Sequence, residues 1–367
     1  MNLYSKRIAT IAILLIIFGI FAMYSVSIYE SFSVTKWITN YFYFKEHLNK
    51  LLIGSILWII TRFIPWRTIK KLDIFIFLWS FILVLLLFSS LGENAINDSK
   101  NARLWLFLPW QTIQPWEFFK LGYVFFLSNW LMRKKENFSE IWLFFWTILV
   151  VCLLCLIFMF LPDFGSILVL WIVWMILYRY IGGKIYYIIV ASILGLAGIM
   201  LIESKIDYIH QRIQYYLDPT QDKSNSWIWY QINNALTAVW WWGFWGRWYW
   251  KGLQKFWNLP ESQSDFIFSA FLEEIWLLWG SILLTLYFLL AYYSIKWISL
   301  LKNQHDATLW FGILSLIIVQ ACINMWVNIN LIPLTWLTLP FISHGWSALI
   351  INMIEVTLLM KIVNQKP

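Results

Sequence analysis

The sequence predicts an all-α protein that crosses a membrane many times. Of its 367 residues, 61% are hydrophobic and only 13% are charged, and the mean hydropathy is +0.68. A soluble domain carries about 25% charged residues and about 45–50% apolar ones. The excess apolar residues lie in runs whose lengths are close to the ~20 residues that a helix needs to cross the hydrocarbon core of a membrane. In that core each peptide group must form its hydrogen bond within the helix, so each run is predicted to be helical. These runs are apolar on all sides, unlike the one-sided stripe of a soluble helix.

The runs predict about ten membrane segments in a single domain that covers residues 1–367. In order, they are approximately 8–29, 48–65, 72–92, 117–132, 141–161, 165–181, 185–202, 266–295, 308–331 and 346–362. Lys6 and Arg7 precede the first run, and no small-residue cleavage pattern follows it. We therefore expect the first helix to be retained rather than removed as a signal peptide.

Basic residues test this count, because Lys and Arg are enriched in cytoplasmic loops. With a cytoplasmic N-terminus, every basic cluster that follows an even-numbered segment falls on the cytoplasmic side. These residues are Arg67, Lys70, Lys71, Arg133, Lys134, Lys135, Lys184, Lys296, Lys302, Lys361 and Lys366. The sequence thus predicts a multi-pass protein of the cytoplasmic (inner) membrane with both termini in the cytoplasm. Since these anchors account for most of the net charge of +8, nucleic acid is not a predicted partner.

Two predicted outer segments, 92–116 and 203–265, are longer than a helical hairpin needs. Connections of this length in a compact protein are usually functional. The second one, between helices 7 and 8, holds most of the charge on the outer face. Its charged residues include Arg212, Asp218, Arg247, Lys251, Lys255, Glu261 and Asp265. We therefore expect the functional site at this outer loop.

Four stretches carry recognisable patterns in a fixed order. Residues 105–120 have the sequence WLFLPWQTIQPWEFFK, and residues 162–165 are PDFG. Residues 217–268 contain DP, YQINNAL, LQK and LPESQSDFIF, and residues 324–347 contain LIPLTWLTLPFISHG. Together with the hydropathy layout, they resemble the SEDS family (FtsW/RodA/SpoVE type) over essentially the whole chain. The YQ, LQK and LPE elements lean toward the FtsW branch, and His344 stands where the family usually has Tyr.

The resemblance implies a peptidoglycan glycosyltransferase that polymerises lipid II into glycan strands for cell division or cell-shape maintenance. The reaction joins the reducing-end sugar of one lipid-linked chain to the 4-hydroxyl of a second lipid-linked disaccharide and releases polyprenyl pyrophosphate. It also implies partners, namely a class B penicillin-binding protein transpeptidase and other division or elongation membrane proteins. No Walker A lysine loop is present, so no nucleotide cofactor is predicted.

Asp265, in the SDFIF stretch where the long loop enters the eighth helix, is the predicted general base. The resemblance matches it to the family's essential aspartate, and partial burial would raise its pKa toward a value suited to proton transfer. The alternative is an aspartate that stabilises the helix N-terminus through backbone N–H groups and the dipole. Glu261, four residues earlier, is a weaker candidate that would orient substrate or a metal. The sequence leaves the need for a divalent cation open.

Four further charged residues are candidates for substrate binding. Glu117 and Lys120 lie three residues apart on one helix face at the start of a membrane segment. Charges at membrane depth face the protein interior or a wet cavity, although a structural ion pair is the alternative. Arg212 and Lys255 are expected to bind pyrophosphate, Arg as a bidentate fork and Lys as a point charge. Their alternative is that both are solvated loop charges.

Two other functions compete with the enzyme. A lipid II flippase would need a continuous polar pathway at the bilayer midplane. The predicted midplanes are apolar and the ionisable residues cluster toward the outer face, which favours the enzyme. A non-catalytic division scaffold is the second alternative, and it predicts that neutralising Asp265 leaves growth unchanged.

Tryptophan stands where the family pattern has glycine at many positions. The chain contains 28 Trp and only 15 Gly. The positions concerned are Trp229, Trp240, Trp242, Trp248, Trp250, Trp276, Trp279, Trp326, Trp336 and Trp346. We hypothesise that many of these are UGA codons that the source organism translates as Gly. The alternative, interfacial belts of Trp, predicts Trp near helix ends rather than a selective replacement of glycine.

Overall fold

The computed structural model describes residues 3–94, 103–108, 111–203, 207–217, 227–240, 249, 251–257, 259 and 261–363. Ten long helices form its frame. They are α1 (Leu3–Val26), α3 (Phe42–Phe63), α5 (Asp73–Leu85, continued by a 3-10 turn at Leu86–Phe88), α6 (Pro115–Lys135), α7 (Glu140–Phe160), α8 (Phe164–Tyr180), α9 (Ile185–Glu203), α13 (Ile267–Ile298), α14 (Gln304–Asn328) and α15 (Trp346–Val363). Five short helices connect them, α2 (Ile28–Val34), α4 (Trp66–Lys71), α10 (Asp207–Leu217), α11 (Trp227–Trp240) and α12 (Gln254–Trp257).

The ten long helices lie at the ten predicted positions, which confirms a polytopic membrane protein. Within the described residues, four helical stretches are long and apolar enough to cross a membrane, and three further apolar helices are shorter. The remaining three, α3, α6 and α15, carry ionisable side chains turned into the bundle, including Lys50, Lys120 and Glu355. Lys45, Glu46 and Lys50 interrupt the second apolar run, which is why α3 begins six residues before the predicted position 48.

Helix α14 forms the centre of the bundle. It packs against α6, α8, α13 and α15, and its side chains are buried along nearly the whole helix. Helices α7 and α9 lie at the periphery and expose large apolar side chains such as Phe160 and Leu201. This inverted pattern, with apolar side chains on the surface and polar ones inside, is what a lipid environment favours.

The 92–116 segment, predicted as a long outer connection, contains a small sheet that the sequence analysis did not predict. Strands β1 (Gly92–Asn94), β2 (Arg103–Leu108) and β3 (Gln111–Ile113) form a small antiparallel sheet in the order β1-β2-β3. Leu106 pairs with both Gly92 and Ile113 across the sheet. The RLWLFL stretch alternates, since Leu104 and Leu106 are buried while Phe107 is exposed. That period of two indicates a strand.

The long segment before α13 is partly helical. Its described parts are α10, α11, α12 and the turn that precedes α13, and α12 packs against α2, α11 and α13. Among its charged residues, Asp218 and Arg247 lie outside the described residues.

The structure describes only some of the tryptophans that are hypothesised to be Gly in the source organism. Trp242, Trp248 and Trp250 lie outside the described residues, as do the side chains of Trp229, Trp240, Trp276 and Trp279. Trp326 is exposed, and Trp336 and Trp346 are half-buried. The hypothesis stays untested.

Candidate active site at the start of α13

Asp265 lies in a tight turn immediately before α13. Glu261 adopts the left-handed region with φ 54°, and its carbonyl accepts hydrogen bonds from the backbone N–H groups of Ser264 (3.1 Å) and Phe266 (3.4 Å). The Ser343 hydroxyl donates to the Ser264 carbonyl at 2.6 Å. The turn is therefore fixed both by its own backbone and by the segment that precedes α15.

Two asparagines of α14 hold the backbone of Asp265. The side-chain amides of Asn324 and Asn328 both donate to the Asp265 carbonyl at 2.9 Å. Asn328 also accepts hydrogen bonds from the backbone N–H (3.1 Å) and the hydroxyl (2.7 Å) of Ser269. Asn328 thus caps α13 from the neighbouring helix, and Asp265 does not cap it. No described backbone N–H group of α13 donates to the Asp265 carboxyl, so the hydrogen-bonding part of the helix-capping alternative is not observed, and its dipole part stays untested.

The Asp265 carboxyl is half-buried, and no described residue forms a hydrogen bond or an ion pair with it. Its pKa is raised to about 8, first by burial and then by the negative charge of Glu261, while Arg212 acts in the opposite direction. Asp163 and Glu117 add smaller negative contributions to the same pKa. The turn therefore brings Asp265 into electrostatic range of three predicted site residues: Glu117, Arg212 and Glu261.

Glu117 and Lys120 form a buried ion pair in the first turns of α6. The Lys120 Nζ lies 2.6 Å from Glu117 Oε2 and 2.6 Å from Gln320 Oε1, and the side chains of both charged residues are 1% exposed. The Gln320 amide in turn donates to the carbonyl of Thr338 at 3.0 Å. Glu355 of α15 lies in electrostatic range of Lys120. It is fully buried, and neither of its carboxylate oxygens has a hydrogen-bond partner among the described residues.

Arg212, on α10, is buried rather than solvated, so the solvated alternative was wrong for this residue. Its guanidinium donates to the Leu334 carbonyl and lies 4.5 Å from the ring centre of Trp336. It lowers the pKa of Asp265 and also that of Asp163, the N-cap of α8, while burial raises the pKa of Asp163. Arg212 is thus a fixed positive charge facing two carboxylates.

Lys255 is also buried, but the structure engages it elsewhere. Its Nζ lies 2.5 Å from Glu274 Oε1 and 2.9 Å from the Ser25 hydroxyl. The neighbouring Glu273 accepts hydrogen bonds from the backbone N–H groups of Leu253 (2.8 Å) and Gln254 (3.0 Å). The alternative that Lys255 is a solvated loop charge was therefore wrong. Pyrophosphate binding by Lys255 stays a prediction, which these contacts do not support. In the described part of the chain, no three His, Cys, Asp or Glu side chains converge as metal ligands.

A family model described as "Cell cycle protein", that of FtsW, RodA and SpoVE, matches residues 5–367. This chain belongs to the FtsW/RodA/SpoVE family. The assignment made from four motifs is thereby confirmed.

Similar sequences agree with the family assignment. Stage V sporulation protein E of Bacillus subtilis (strain 168) is 31% identical over 356 residues, which are 96% of this chain and 94% of that protein. A probable peptidoglycan glycosyltransferase FtsW of Marinomonas mediterranea is 34% identical over 350 residues, 91% of this chain and 82% of its own. The corresponding protein of Geobacter sp. (strain M18) is 28% identical over 361 residues, 98% of this chain and 96% of its own.

Solved structures share the fold of this FtsW/RodA/SpoVE-family chain. One is a chain of a peptidoglycan synthase complex described as coordinating polymerization and crosslinking, with a TM-score of 0.80, 20% identity and coverage of 99% and 98% of the two chains. Another is the rod shape determining protein RodA of Thermus thermophilus, with a TM-score of 0.69, 18% identity and coverage of 98% and 97%.

Four buried polar residues of this family member were missed by the sequence analysis. They are Gln320, Asn324 and Asn328 on α14 and Glu355 on α15. A polar residue every fourth position in an apolar run, as at 320, 324 and 328, places three amides on one helix face. An ionisable residue within a membrane segment, as at 355, is likewise a functional signal. Both signals were present in the sequence.

Proposed function

We propose that this chain, a peptidoglycan glycosyltransferase by its family, polymerises lipid II at the outer face of the cytoplasmic membrane with Asp265 as its general base. The observation that carries the proposal is the Asp265 carboxyl itself. It is half-buried at the mouth of α13, it has no partner among the described side chains, and its pKa is raised to about 8. A base with a pKa near the working pH is the most effective proton acceptor.

The chemistry needs one proton transfer and one displacement. The 4-hydroxyl of the incoming lipid-linked disaccharide attacks the reducing-end carbon of the growing strand, and its proton passes to the Asp265 carboxylate. The new C–O bond forms as the bond to the diphosphate breaks, and the electron pair leaves with the polyprenyl diphosphate. A single base and a one-step displacement would invert the configuration, by analogy with inverting glycosidases.

The neighbouring charges have separate parts in this proposal. Arg212 is the fixed cation that would stabilise negative charge developing on the diphosphate, because the Leu334 carbonyl holds its position. Glu261 keeps the pKa of Asp265 high. Glu117 and Lys120, a buried pair whose carboxylate lies in electrostatic range of Asp265, would contribute polar groups to the substrate-binding region. We infer no step through a metal.

The orientation and the partner are also part of the proposal. The basic clusters that follow the even-numbered segments support cytoplasmic termini, which would place the Asp265 turn on the outer side. The similarity to a chain of a complex that coordinates polymerization and crosslinking supports a partner that cross-links the strand. A class B penicillin-binding protein transpeptidase is the partner we propose.

The decisive experiment is polymerisation of labelled lipid II by the purified full-length chain in liposomes. We expect glycan polymer from the parent and a loss of at least about 100-fold in Asp265→Asn. The matched control is Glu140→Gln, which removes a half-buried carboxylate paired with Lys184 at the opposite end of the bundle and should leave polymer unchanged. Equal polymer from Asp265→Asn and the parent would refute the base assignment.

The same preparation separates the rival functions. A flippase would move labelled lipid II across the liposome without producing polymer, and a scaffold would do neither. In cells, a scaffold would also support growth normally after Asp265→Asn. If the source organism translates the UGA codons as Gly, its protein differs from this chain at the tryptophan positions named in the sequence analysis. The experiment is therefore run in parallel on a chain with Gly at those ten positions.

A further inference from the structure

Gln320, in the second half of α14, joins two parts of the chain that are far apart in sequence. Its side chain is fully buried. The amide oxygen accepts a hydrogen bond from the Lys120 Nζ at 2.6 Å. The amide nitrogen donates to the Thr338 carbonyl at 3.0 Å and to the Thr338 hydroxyl at 3.3 Å. Because an ammonium group only donates and a carbonyl only accepts, these two neighbours fix the orientation of the amide.

On one side Gln320 holds the irregular segment 329–345, which connects α14 to α15. This segment contains no regular helix or strand, and its second half is buried almost throughout. Non-helical backbone within a membrane protein is stable only where protein groups satisfy its N–H and C=O groups. Here α14 supplies donors to consecutive carbonyls, since Asn324 donates to the Leu337 carbonyl at 2.7 Å and Gln320 to that of Thr338.

One peptide group of this segment links Gln320 to the turn that carries Asp265. The carbonyl of the 338–339 peptide group accepts from Gln320, and its N–H donates to the Ser343 hydroxyl at 2.8 Å. That hydroxyl in turn donates to the Ser264 carbonyl at 2.6 Å. Because a peptide group is planar, a rotation that breaks one of its two hydrogen bonds also disturbs the other. The orientation of this peptide group therefore bears on the position of the Asp265 turn.

The segment also contains a strained residue that its surroundings must hold in place. Phe341 is buried and adopts φ 69°, a left-handed conformation that is rare for a bulky side chain. Such a conformation persists only where neighbouring contacts fix it. The Tyr287 hydroxyl of α13 donates to the carbonyl of the preceding residue, Pro340, at 2.6 Å. The shape of the segment thus depends on contacts with α13 and α14.

We propose that Gln320 is a positioning residue for the polymerisation reaction. It holds Lys120 beside Glu117 with one end of its amide and the 338–339 peptide group with the other, and it acts on Asp265 only through these contacts. The inference rests on the proposed function, and it adds a link between the buried ion pair of α6 and the base. Both ends of the amide are needed, because each satisfies a different buried group.

The competing interpretation is that Gln320 has a structural role alone. It would then satisfy two buried polar groups and contribute to stability without affecting the reaction. Kinetics separate the two interpretations. A positioning residue lowers kcat and leaves KM close to that of the parent, because it makes no contact with the bound substrate. A residue with a structural role changes neither constant of the folded protein.

The first experiment is steady-state polymerisation of lipid II by the full-length chain with Gln320→Met. Methionine keeps the length of the side chain and removes both hydrogen bonds. We expect kcat to fall at least about tenfold, with KM within about twofold of the parent, because a misplacement of about 1 Å can cost about 100-fold in rate. The matched control is Tyr123→Phe, which removes another buried hydrogen bond to a carbonyl, that of Leu170 at 3.0 Å. This control should leave kcat unchanged.

Gln320→Glu separates the two ends of the amide. A protonated carboxyl accepts from Lys120 and donates to the Thr338 carbonyl, whereas an ionised one keeps only the first contact. Glu117 and Glu355 already lie in electrostatic range of Lys120, so the added carboxyl binds a proton readily. We expect kcat of this variant, divided by that of the parent at the same pH, to be highest near about pH 6 and to fall toward about pH 9.

An effect of the added charge on Asp265 alone would give the opposite trend. A negative charge that raised the pKa of Asp265 would matter least at high pH, where Asp265 is ionised in both chains. The kcat ratio of Gln320→Glu to the parent would then rise with pH. A ratio that rises with pH or stays constant would therefore overturn the inference.

Hydrogen exchange measures the position of the turn without relying on activity. The N–H groups of Leu339 and His344 report on the segment, and those of Ser264 and Phe266 report on the turn. We expect Gln320→Met to raise their exchange rates at least about tenfold, because their hydrogen bonds open more often. Tyr123→Phe should leave these rates unchanged.

Three kinetic results would overturn the inference. The first is a Gln320→Met chain with the kcat of the parent, and the second is a raised KM at unchanged kcat, which would indicate contact with substrate. The third is an equal loss of kcat in Tyr123→Phe, which would leave Gln320 a structural role only. Thermal unfolding shows whether each variant is folded. If Gln320→Met is not folded, the pH dependence of Gln320→Glu decides the matter.

Failure of this inference and failure of the proposed function are distinguishable. If the parent makes no polymer while hydrogen exchange of the turn still depends on Gln320, the proposed function fails and the hold of Gln320 on the turn stands. If polymer depends on Asp265 while Gln320→Met changes neither kcat nor exchange, the inference fails and the enzyme stands.

Discussion

Two groups of charged residues lie near the start of α13 and differ in how their charges are paired. In one, Lys255, Glu274 and Ser25 are sealed from solvent and satisfy one another within 2.5–2.9 Å. In the other, the Asp265 carboxyl is half-buried, only its backbone is anchored, and its pKa is raised to about 8. A paired buried charge fixes structure, whereas an unpaired one with a shifted pKa is available for chemistry.

The largest expected effect tests the paired group. Lys255→Met leaves the Glu274 carboxylate buried without its cation, and we expect the free energy of unfolding to fall by about 3–5 kcal/mol. The measurement is denaturant or thermal unfolding of the purified chain. The double variant Lys255→Met/Glu274→Met should recover most of the loss, because no buried charge remains. A Lys255→Met chain of normal stability that no longer polymerises would instead support the substrate role predicted from the sequence.

The next-largest effect concerns Asn328, which holds the backbone of Asp265. Asn328→Ala removes the hydrogen bonds to the Asp265 carbonyl and to Ser269, and we expect a loss of stability of about 1–3 kcal/mol. Because Asn328 positions Asp265 without touching substrate, kcat should fall while KM stays close to that of the parent. Steady-state polymerisation kinetics measure both constants. An unchanged kcat would show that the anchor is not needed for the position of the base.

A smaller effect concerns the pH profile. Asp265 acts as a base only when deprotonated, so polymerisation should rise with pH and reach half its maximum near pH 8. Glu261→Gln removes a negative charge that raises the Asp265 pKa, so the rising limb should move to lower pH, by about one unit at most. Glu140→Gln, far from the site, should leave the limb in place. A shift to higher pH would contradict the assigned electrostatics.

The smallest effect is on the stability of Asp265→Asn. The folded pKa of Asp265 lies above its ordinary value, so this group reduces stability as pH rises from about 4 toward 8. Asp265→Asn removes that cost, which is screened because Asp265 is partly exposed, so its unfolding temperature should equal that of the parent below about pH 4 and exceed it by about 2 °C at pH 9. A marked loss of stability in this variant would show that Asp265, like Lys255, has a structural role.

Much of the fold could be predicted because its signals are local. Apolar runs of membrane length and the basic residues that flank them gave all ten long helices, and α3 was placed late only because Lys45, Glu46 and Lys50 interrupt its run. The β1-β2-β3 sheet was missed, since its strands are only three to six residues long and the period of two in RLWLFL is brief. The family resemblance supplied Asp265, Glu117 and Lys120.

The sequence by itself determined the membrane class, the number of long helices and the family, because each depends on composition or on residues close together in the chain, and the family resemblance then pointed to the aspartate at the mouth of α13. Only the tertiary structure decided which charges meet. Lys255 pairs with Glu274 and not with substrate-facing groups, Asn324 and Asn328 reach Asp265 across about sixty residues, and His344 meets Lys50 across 294. Contacts between helices distant in sequence depend on how their faces pack, and no local pattern specifies them.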